Sequence, residues 1–189
     1  RIRVFLLKFF FVVLCNIDIS REKQISISFR ELGLSQKLCN AVSALGFEQP
    51  TPIQEKAIPI VLMGRDVIGS AQTGTGKTAS FTLPMIDILD AGIAKARMPR
   101  SLILAPTREL AAQVAESFEN FSANHQLSQA LIIGGVSFSD QETALEKGVD
   151  VLIATPGRLL DHFERGKVLL QDVKVLVIDE TDRMLDMGF

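Results

Sequence analysis

Residues 67–78 read VIGSAQTGTGKT, and this stretch decides the fold of the chain. An apolar run leads into a glycine-rich loop, which ends in Gly76, Lys77 and Thr78. Glycines let the backbone turn so tightly that successive N–H groups point at phosphate oxygens, and a helix that begins near Lys77 adds the positive end of its dipole. The alternative is a glycine-rich turn that binds nothing. The order of strand, loop and helix favours a phosphate-binding loop.

The residues of this loop have distinct predicted roles. Lys77 can reach the β- and γ-phosphates of a nucleotide, and the hydroxyl of Thr78 can ligate Mg²⁺. The strict phosphate-loop pattern has glycine where Ala71 stands, so this loop is a variant. The predicted nucleotide-binding residues of the loop are Thr73, Gly74, Thr75, Gly76, Lys77 and Thr78.

Two acidic residues, Asp179 and Glu180, follow the apolar run at residues 175–178. An Asp at the end of a buried strand beside a phosphate loop is placed to hold Mg²⁺ through its water shell. Glu180 can orient and deprotonate the attacking water. A solvated acidic turn that caps the next helix is the alternative, and it fits Asp182 better than Asp179. The predicted catalytic residues are therefore Lys77, Asp179 and Glu180.

Five short runs of Val, Ile and Leu recur, at residues 67–68, 102–104, 131–133, 151–153 and 175–178. Each run is nearly continuous, which is typical of strands buried on both faces, and helical patterns lie between most of them. We therefore expect an α/β fold with a mostly parallel sheet and helices on both faces. A polar or glycine-rich cluster follows every run, at the end of the strand where such sheets bind ligands.

Residues 46–54, GFEQPTPIQ, lie shortly before the phosphate loop. The side chain of Gln54 can pair with adenine through N6 and N7. Phe47 offers an apolar face for stacking, and Phe29 could support it. The alternative is that Phe47 belongs to the core and the two prolines form a simple turn.

From about Phe29 onward the chain resembles the first RecA-like domain of a DEAD-box RNA helicase of superfamily 2, and bacterial RhlE-type helicases most of all. Residues 46–54 resemble the motif by which the family recognises adenine, and residues 71–78 resemble its phosphate loop, in which Ala is normal at the first position. Residues 179–182 match the acidic motif, except that Thr181 replaces the usual Ala. The resemblance implies a RecA-like P-loop NTPase domain, ATP and Mg²⁺ as cofactors, and RNA as the partner.

The clusters after the remaining three strands resemble the motifs by which the family holds RNA. Threonine hydroxyls and backbone N–H groups at loops and helix starts donate to phosphates, and Arg108 and Arg158 add charge-assisted bonds. A salt bridge from Arg108 to Glu109, or a role on the helix surface, is the alternative. Binding should be independent of sequence and sensitive to salt, and the 2′-OH could distinguish RNA from DNA. The predicted RNA-binding residues are Pro106, Thr107, Arg108, Gly134, Gly135, Thr155, Pro156, Gly157 and Arg158.

Composition and charge exclude several classes of function. The formal net charge is −2, so no strong basic field attracts nucleic acid and any contact must be local. Cys15 and Cys39 cannot form a disulfide scaffold and lack zinc spacing, which favours two free thiols in a reducing compartment and a cytoplasmic location. The apolar run at residues 4–14 is too short to span a bilayer, so we expect no stable membrane association.

We predict two parts of the chain: an N-terminal apolar segment of uncertain status at residues 1–27, and a RecA-like domain 1, truncated at its C-terminus, at residues 28–189. The segment could be a targeting signal, non-native sequence or a strand borrowed from an upstream domain. The family's motif III, second RecA-like domain and arginine finger have no counterpart in this sequence. We therefore expect an ATP-dependent RNA helicase as the parent protein, and a fragment that binds ATP weakly and unwinds nothing. A catalytically silent nucleotide- or RNA-binding module and a DNA-translocating superfamily 2 ATPase are the alternatives.

Overall fold

The computed structural model describes residues 10–15, 27–72 and 74–188. These residues form strands and helices that alternate along most of the chain. The strands are β1 Phe10–Cys15, β2 Val67–Ser70, β3 Ser101–Leu104, β4 Gln129–Ile132, β5 Val151–Ala154 and β6 Val175–Ile178. The helices are α1 Gln36–Ala44, α2 Pro52–Leu62, α3 Lys77–Leu89, α4 Arg108–Ser122, α5 Phe138–Lys147, α6 Pro156–Glu164 and α7 Thr181–Asp186.

The strands form one sheet in the order β2-β1-β6-β3-β5-β4, and all neighbouring strands in it are parallel. Each of the five predicted apolar runs contributes to a strand, although β4 begins at Gln129 rather than at Leu131. Parallel strands need crossover connections, and helices supply them between consecutive strands from β2 to β6. The carboxyl ends of these strands therefore meet at one edge of the sheet, which we call the rim.

Strand β1 lies inside the sheet, between the strand of the phosphate loop and the strand of the acidic motif. Val12 of β1 pairs with Val67 of β2 on one side and with Val177 of β6 on the other. Among the described strands, β2 pairs with β1 alone. This part of the predicted N-terminal segment thus links β2 to the rest of the sheet.

Helices cover both faces of the sheet, as the apolar runs predicted. The larger core cluster lies between the sheet and α1 to α4, and it includes Phe81 and Phe118. The smaller cluster lies under α5 and α6 and includes Leu145 and Leu159. Full burial of one such side chain stabilises a fold by about 1.5–3 kcal/mol. The α/β prediction is confirmed, and none of the described helices has the length and apolar character that a membrane crossing requires.

The helices begin where the sequence indicated. α3 begins at Lys77, directly after Gly76, and α6 begins at Pro156, with Thr155 as its N-cap residue. Gly166, with a φ of +67°, follows the C-cap residue of α6, as expected for a glycine just beyond a helix. Thr107 caps α4 by accepting a hydrogen bond from the Leu110 N–H at 3.3 Å. Each of these helix starts places its loop at the rim.

A buried ion pair lies at the end of the sheet opposite the rim, where the strands begin. The Arg100 Nη1 donates to Asp150 Oδ1 at 2.8 Å, and Asp150 Oδ2 accepts from the backbone N–H of Ser128 at 2.9 Å. Both charged side chains are less than a tenth exposed. A buried pair with its hydrogen bonds satisfied is costly to break, so this network holds β3 and β5 at their amino-terminal ends.

Candidate nucleotide and nucleic-acid site

The phosphate loop adopts the backbone conformation that its glycines allow. Gly74 and Gly76 have φ values of +83° and +81°, in the left-handed region that favours glycine. A Cβ at position 76 would collide with the side-chain nitrogen of Gln54, so this position excludes larger residues. The hydroxyl of Thr75 donates to the Gln72 carbonyl at 2.7 Å and closes the turn. Thr73, also predicted to bind nucleotide, lies outside the described residues.

Gln54 connects the phosphate loop to the segment before it. The side chain is buried, and its Nε2 donates to the carbonyl of Gly76 at 3.0 Å. Its Oε1 accepts from the backbone N–H of Thr51 at 2.9 Å, which stabilises the start of α2. The amide that was predicted to bind adenine therefore supports the phosphate loop, and both of its polar atoms are bonded within the protein.

The two phenylalanines predicted beside the adenine site lie in different environments. Phe29 is only 6% exposed and belongs to the larger core cluster. Phe47 is 44% exposed, and its ring centroid lies 5.7 Å from that of Phe121 in a tilted contact. Phe121 thus supports one part of the Phe47 ring, and the remainder stays accessible to a planar ligand.

Asp179 lies at the carboxyl end of β6 and is 7% exposed. Its Oδ1 accepts from the backbone N–H of Glu180 at 3.0 Å. Burial raises the pKa of the Asp179 carboxyl from its ordinary 3.8 to about 6, the ammonium group of Lys77 opposes this increase, and the charge of Glu180 adds to it. Lys77 is therefore near enough to act on Asp179, which places the phosphate loop and the acidic motif on one side of the molecule.

Glu180 is held in a conformation that is unusual for a residue other than glycine. Its φ is +48°, in the left-handed region, which costs roughly 1 kcal/mol or more. Its carboxylate lies 3.5 Å from the guanidinium of Arg183 and is 13% exposed. The hydroxyl of Thr181 donates to the Ile178 carbonyl at 3.2 Å, so the threonine that replaces the family's usual alanine ties the turn back to β6.

A groove of about 480 Å³ lies at the rim beyond β3, β4 and β5. It is lined by all of the predicted RNA-binding residues except Pro156, which is the first residue of α6. Three residues that sequence reasoning missed, Glu109, Asp161 and Met187, also line it. Three loops that are distant in sequence therefore form one surface.

Arg108 joins two of these loops. Its Nη1 donates to the carbonyl of Gly134 at 3.2 Å, and it does not pair with Glu109. The same nitrogen occupies the place that a Cβ would take at Gly135, whose φ is +80°. The positive φ favours glycine at this position, and the guanidinium would have to move to admit a side chain.

Arg158 uses much of its hydrogen-bonding capacity within the protein. Its Nε donates to Gln141 Oε1 at 3.1 Å and its Nη2 to the Val136 carbonyl at 3.0 Å, while the guanidinium lies 4.3 Å from the centre of the Phe138 ring. The side chain is 17% exposed. Sequence reasoning assigned Arg158 to the RNA and missed these contacts.

Gln141 and His162 could have been noticed from helical spacing. Gln141 lies four residues before Leu145, and His162 lies three residues after Leu159. The two pairs are the buried residues of α5 and α6 respectively. A polar side chain in the apolar stripe of a helix indicates a buried hydrogen-bonding partner.

Comparisons with known proteins identify the family of this chain. The family model for DEAD/DEAH box helicases matches residues 51–189. The ATP-dependent rRNA helicase RRP3 of Pyricularia oryzae is 50% identical over 171 residues, which are 90% of this chain and 31% of that protein. The probable ATP-dependent RNA helicase ddx27 of Dictyostelium discoideum is 50% identical over 163 residues, which are 86% of this chain and 21% of that protein.

A solved structure of the same family has a similar fold. The crystal structure of a DEAD box protein from the hyperthermophile Methanococcus jannaschii matches with a TM-score of 0.79 and 41% sequence identity, over 87% of this chain and 44% of that one. The chain spans less than a third of the length of the two curated relatives named above. Both the sequence and the fold place this chain in the DEAD/DEAH box helicase family.

Proposed function

We propose that this chain is the ATP-binding and RNA-binding part of an ATP-dependent RNA helicase that couples ATP hydrolysis to local unwinding of RNA. The observation that carries the proposal is that the phosphate loop after β2, the acidic motif after β6 and the groove all lie at the rim of one parallel sheet. A phosphate-binding cation, a buried acid and a surface of phosphate donors then lie on one side of the sheet. The curated relatives are named as RNA helicases, which supports RNA as the nucleic acid.

Mg²⁺ fits the residues at this site. Thr78 offers a hydroxyl and Asp179 a carboxylate, and oxygen is the donor that Mg²⁺ prefers. The Asp179 carboxyl is buried, which raises its pKa, and a cation beside it would offset the cost of burying the charge. Thr78 and Asp179 would hold the ion, which would neutralise phosphate charge during hydrolysis.

The other residues then have defined tasks. Lys77 and the backbone of the glycine-rich loop bind the phosphates, and Gln54 holds the loop in position through the carbonyl of Gly76. Phe47 supplies an apolar surface for the adenine. Glu180 accepts a proton from the attacking water, and its unusual backbone conformation sets the direction of its carboxylate.

RNA binds the groove through its backbone. Backbone N–H groups of the glycine turn and the threonine hydroxyls donate to phosphates, so affinity is independent of sequence and decreases with salt. The cytoplasmic location and the particular similarity to bacterial RhlE-type helicases stay predictions from the sequence.

The first experiment concerns Lys77. We expect Lys77→Ala to abolish binding of a fluorescent ATP analogue, because the phosphates lose their cation. Lys37→Ala, which removes a surface lysine paired with Asp90, is the matched control and should bind normally. Unchanged affinity in Lys77→Ala would show that the loop is not the nucleotide site.

The second experiment concerns Glu180 in the longer protein. Glu180→Gln should keep nucleotide affinity and lose steady-state hydrolysis, because the amide cannot accept a proton. Glu116→Gln, on the exposed side of α4, is the control. Hydrolysis stimulated by single-stranded RNA and not by single-stranded DNA supports the helicase proposal, whereas equal stimulation by DNA would favour a DNA-translocating motor.

A further inference from the structure

A partly buried cluster supports the groove, and we call it the Gln141 cluster: Phe138, Gln141, Arg158 and His162. Gln141 is 4% exposed and His162 is fully buried, so neither lines the groove. The Phe138 ring stacks on the His162 ring at a centroid distance of 4.0 Å, and the guanidinium of Arg158 lies over Phe138. The cluster joins α5 and α6 directly beneath the Gly134–Gly135 turn.

The orientation of the Gln141 amide follows from its partners. Arginine can only donate, so the atom that receives Arg158 Nε must be the amide oxygen. The amide nitrogen then donates to the carbonyl of Ile133 at 2.8 Å. Since the oxygen also lies 3.0 Å from His162 Nε2, that nitrogen carries the hydrogen of a neutral ring. Burial, followed by the charge of Arg158, lowers the pKa of His162, which agrees with a neutral ring.

These bonds hold both ends of the glycine turn. Ile133, directly before Gly134, is held by Gln141, and Val136, directly after Gly135, is held by Arg158. Two glycines in a row have wide conformational freedom, so without these bonds the turn would sample many shapes.

The same bonds change the electrostatics of the turn. A phosphate is repelled by carbonyl oxygens and attracted by N–H groups. Side chains of Gln141, Arg108 and Arg158 donate to the carbonyls of Ile133, Gly134 and Val136 respectively. These carbonyls are thereby engaged by the protein, which reduces their repulsion of a phosphate in the groove.

We propose that Gln141 is a positioning residue for the nucleic-acid groove: it orients Arg158 and holds the Gly134–Gly135 turn, and so sets RNA affinity without touching RNA. His162 assists by donating to the same amide oxygen. The inference rests on the proposed RNA-binding function and names a determinant of it that does not line the groove. Arg158 then acts through Val136 and Gln141, in addition to any contact of its own with a phosphate.

The principal test compares Gln141→Met with Gln129→Met. Methionine has a similar shape and cannot make these bonds. Gln129 is the matched control, because its Nε2 donates to the Ala115 carbonyl at 3.1 Å and it stands at the opposite end of the sheet. We expect Gln141→Met to weaken binding of a single-stranded oligouridylate about tenfold at unchanged ATP affinity. Such a change corresponds to the displaced turn and Arg158 together losing the equivalent of about one hydrogen bond to RNA. Gln129→Met should bind the oligonucleotide like the wild type.

A double-mutant cycle separates positioning from direct contact. Arg158→Lys keeps the charge but cannot reach both Val136 and Gln141 with one point-like ammonium. If Gln141 acts through Arg158, the double variant binds RNA about as weakly as either single variant, roughly tenfold below wild type. Independent effects that multiply to about a hundredfold would overturn the part of the role that acts through Arg158.

A measurement without RNA completes the test. Hydrogen exchange at the amides of Gly134, Gly135 and Val136 should be faster in Gln141→Met and unchanged in Gln129→Met. If Gln141→Met does not fold, Gln141→Glu replaces it, because its carboxylate still accepts from Arg158 but repels the Ile133 carbonyl; RNA affinity should again fall. Wild-type RNA affinity in the Gln141 variant would overturn the positioning role alone, whereas a wild-type protein that binds no RNA would overturn the proposed function.

Discussion

Replacing Asp179 by asparagine should stabilise the nucleotide-free protein and remove its ability to bind nucleotide with Mg²⁺. The carboxyl is buried at the end of β6, and burial raises its pKa from 3.8 to about 6. This difference corresponds to about 3 kcal/mol, because each pKa unit is worth about 1.4 kcal/mol. Asparagine keeps the shape and an oxygen for the Glu180 N–H but carries no charge, so the cost of the buried charge disappears.

The stabilisation by Asp179→Asn should increase with pH. Between pH 4 and 6 the folded protein binds the Asp179 proton more tightly than the unfolded chain, so this group's contribution to stability is complete below pH 4 and is lost as the pH rises through about 6. The unfolding free energy of the Asp179→Asn variant should therefore be higher than that of the wild type by about 3 kcal/mol at pH 8. The difference should be about half of this at pH 5 and small at pH 4.

Urea denaturation followed by circular dichroism at these three pH values measures the difference. The control is Asp186→Asn, which neutralises an exposed carboxylate in α7, the helix that follows Asp179. It should change stability by less than about 0.5 kcal/mol. The reasoning would be refuted by an Asp179→Asn protein that is less stable than the wild type at pH 8, or by a gain that does not vary with pH. The same variant should lose Mg²⁺-dependent affinity for an ATP analogue.

Two further predictions concern the backbone. Gly135→Ala should lower the unfolding free energy by about 1–2 kcal/mol and weaken RNA binding, because φ is +80° and the new Cβ meets Arg108. Gly157→Ala is the control: its Cβ meets nothing within 4 Å, so it should cost no stability in the same urea titration. Val13→Pro should destabilise the protein by about 3 kcal/mol or more, because proline removes an N–H from a strand between two others, and wild-type stability would show that β1 does not hold β2 in the sheet.

The alternation of strands and helices and the phosphate loop could be predicted from the sequence, because their signals are local. A continuous apolar run indicates a strand buried on both faces wherever it occurs, and β3, β5 and β6 lie where such runs were found. Glycines at positions 74 and 76 serve a backbone requirement of their own turn. Parallel connection then brings the strand ends to one rim, so the convergence of Lys77 and Asp179 followed from topology.

Other features depend on residues that are far apart in the chain, and only the tertiary structure decided them. The place of β1 between β2 and β6 depends on pairing between residues more than fifty positions apart. A short apolar run does not specify which strands it will pair with. The contacts of Arg158 with Gln141 and Val136 depend on how α5 and α6 pack, and the pKa of Asp179 depends on how much of its carboxyl the surrounding elements bury. Local composition determines which elements form, whereas burial and side-chain partners are properties of their packing.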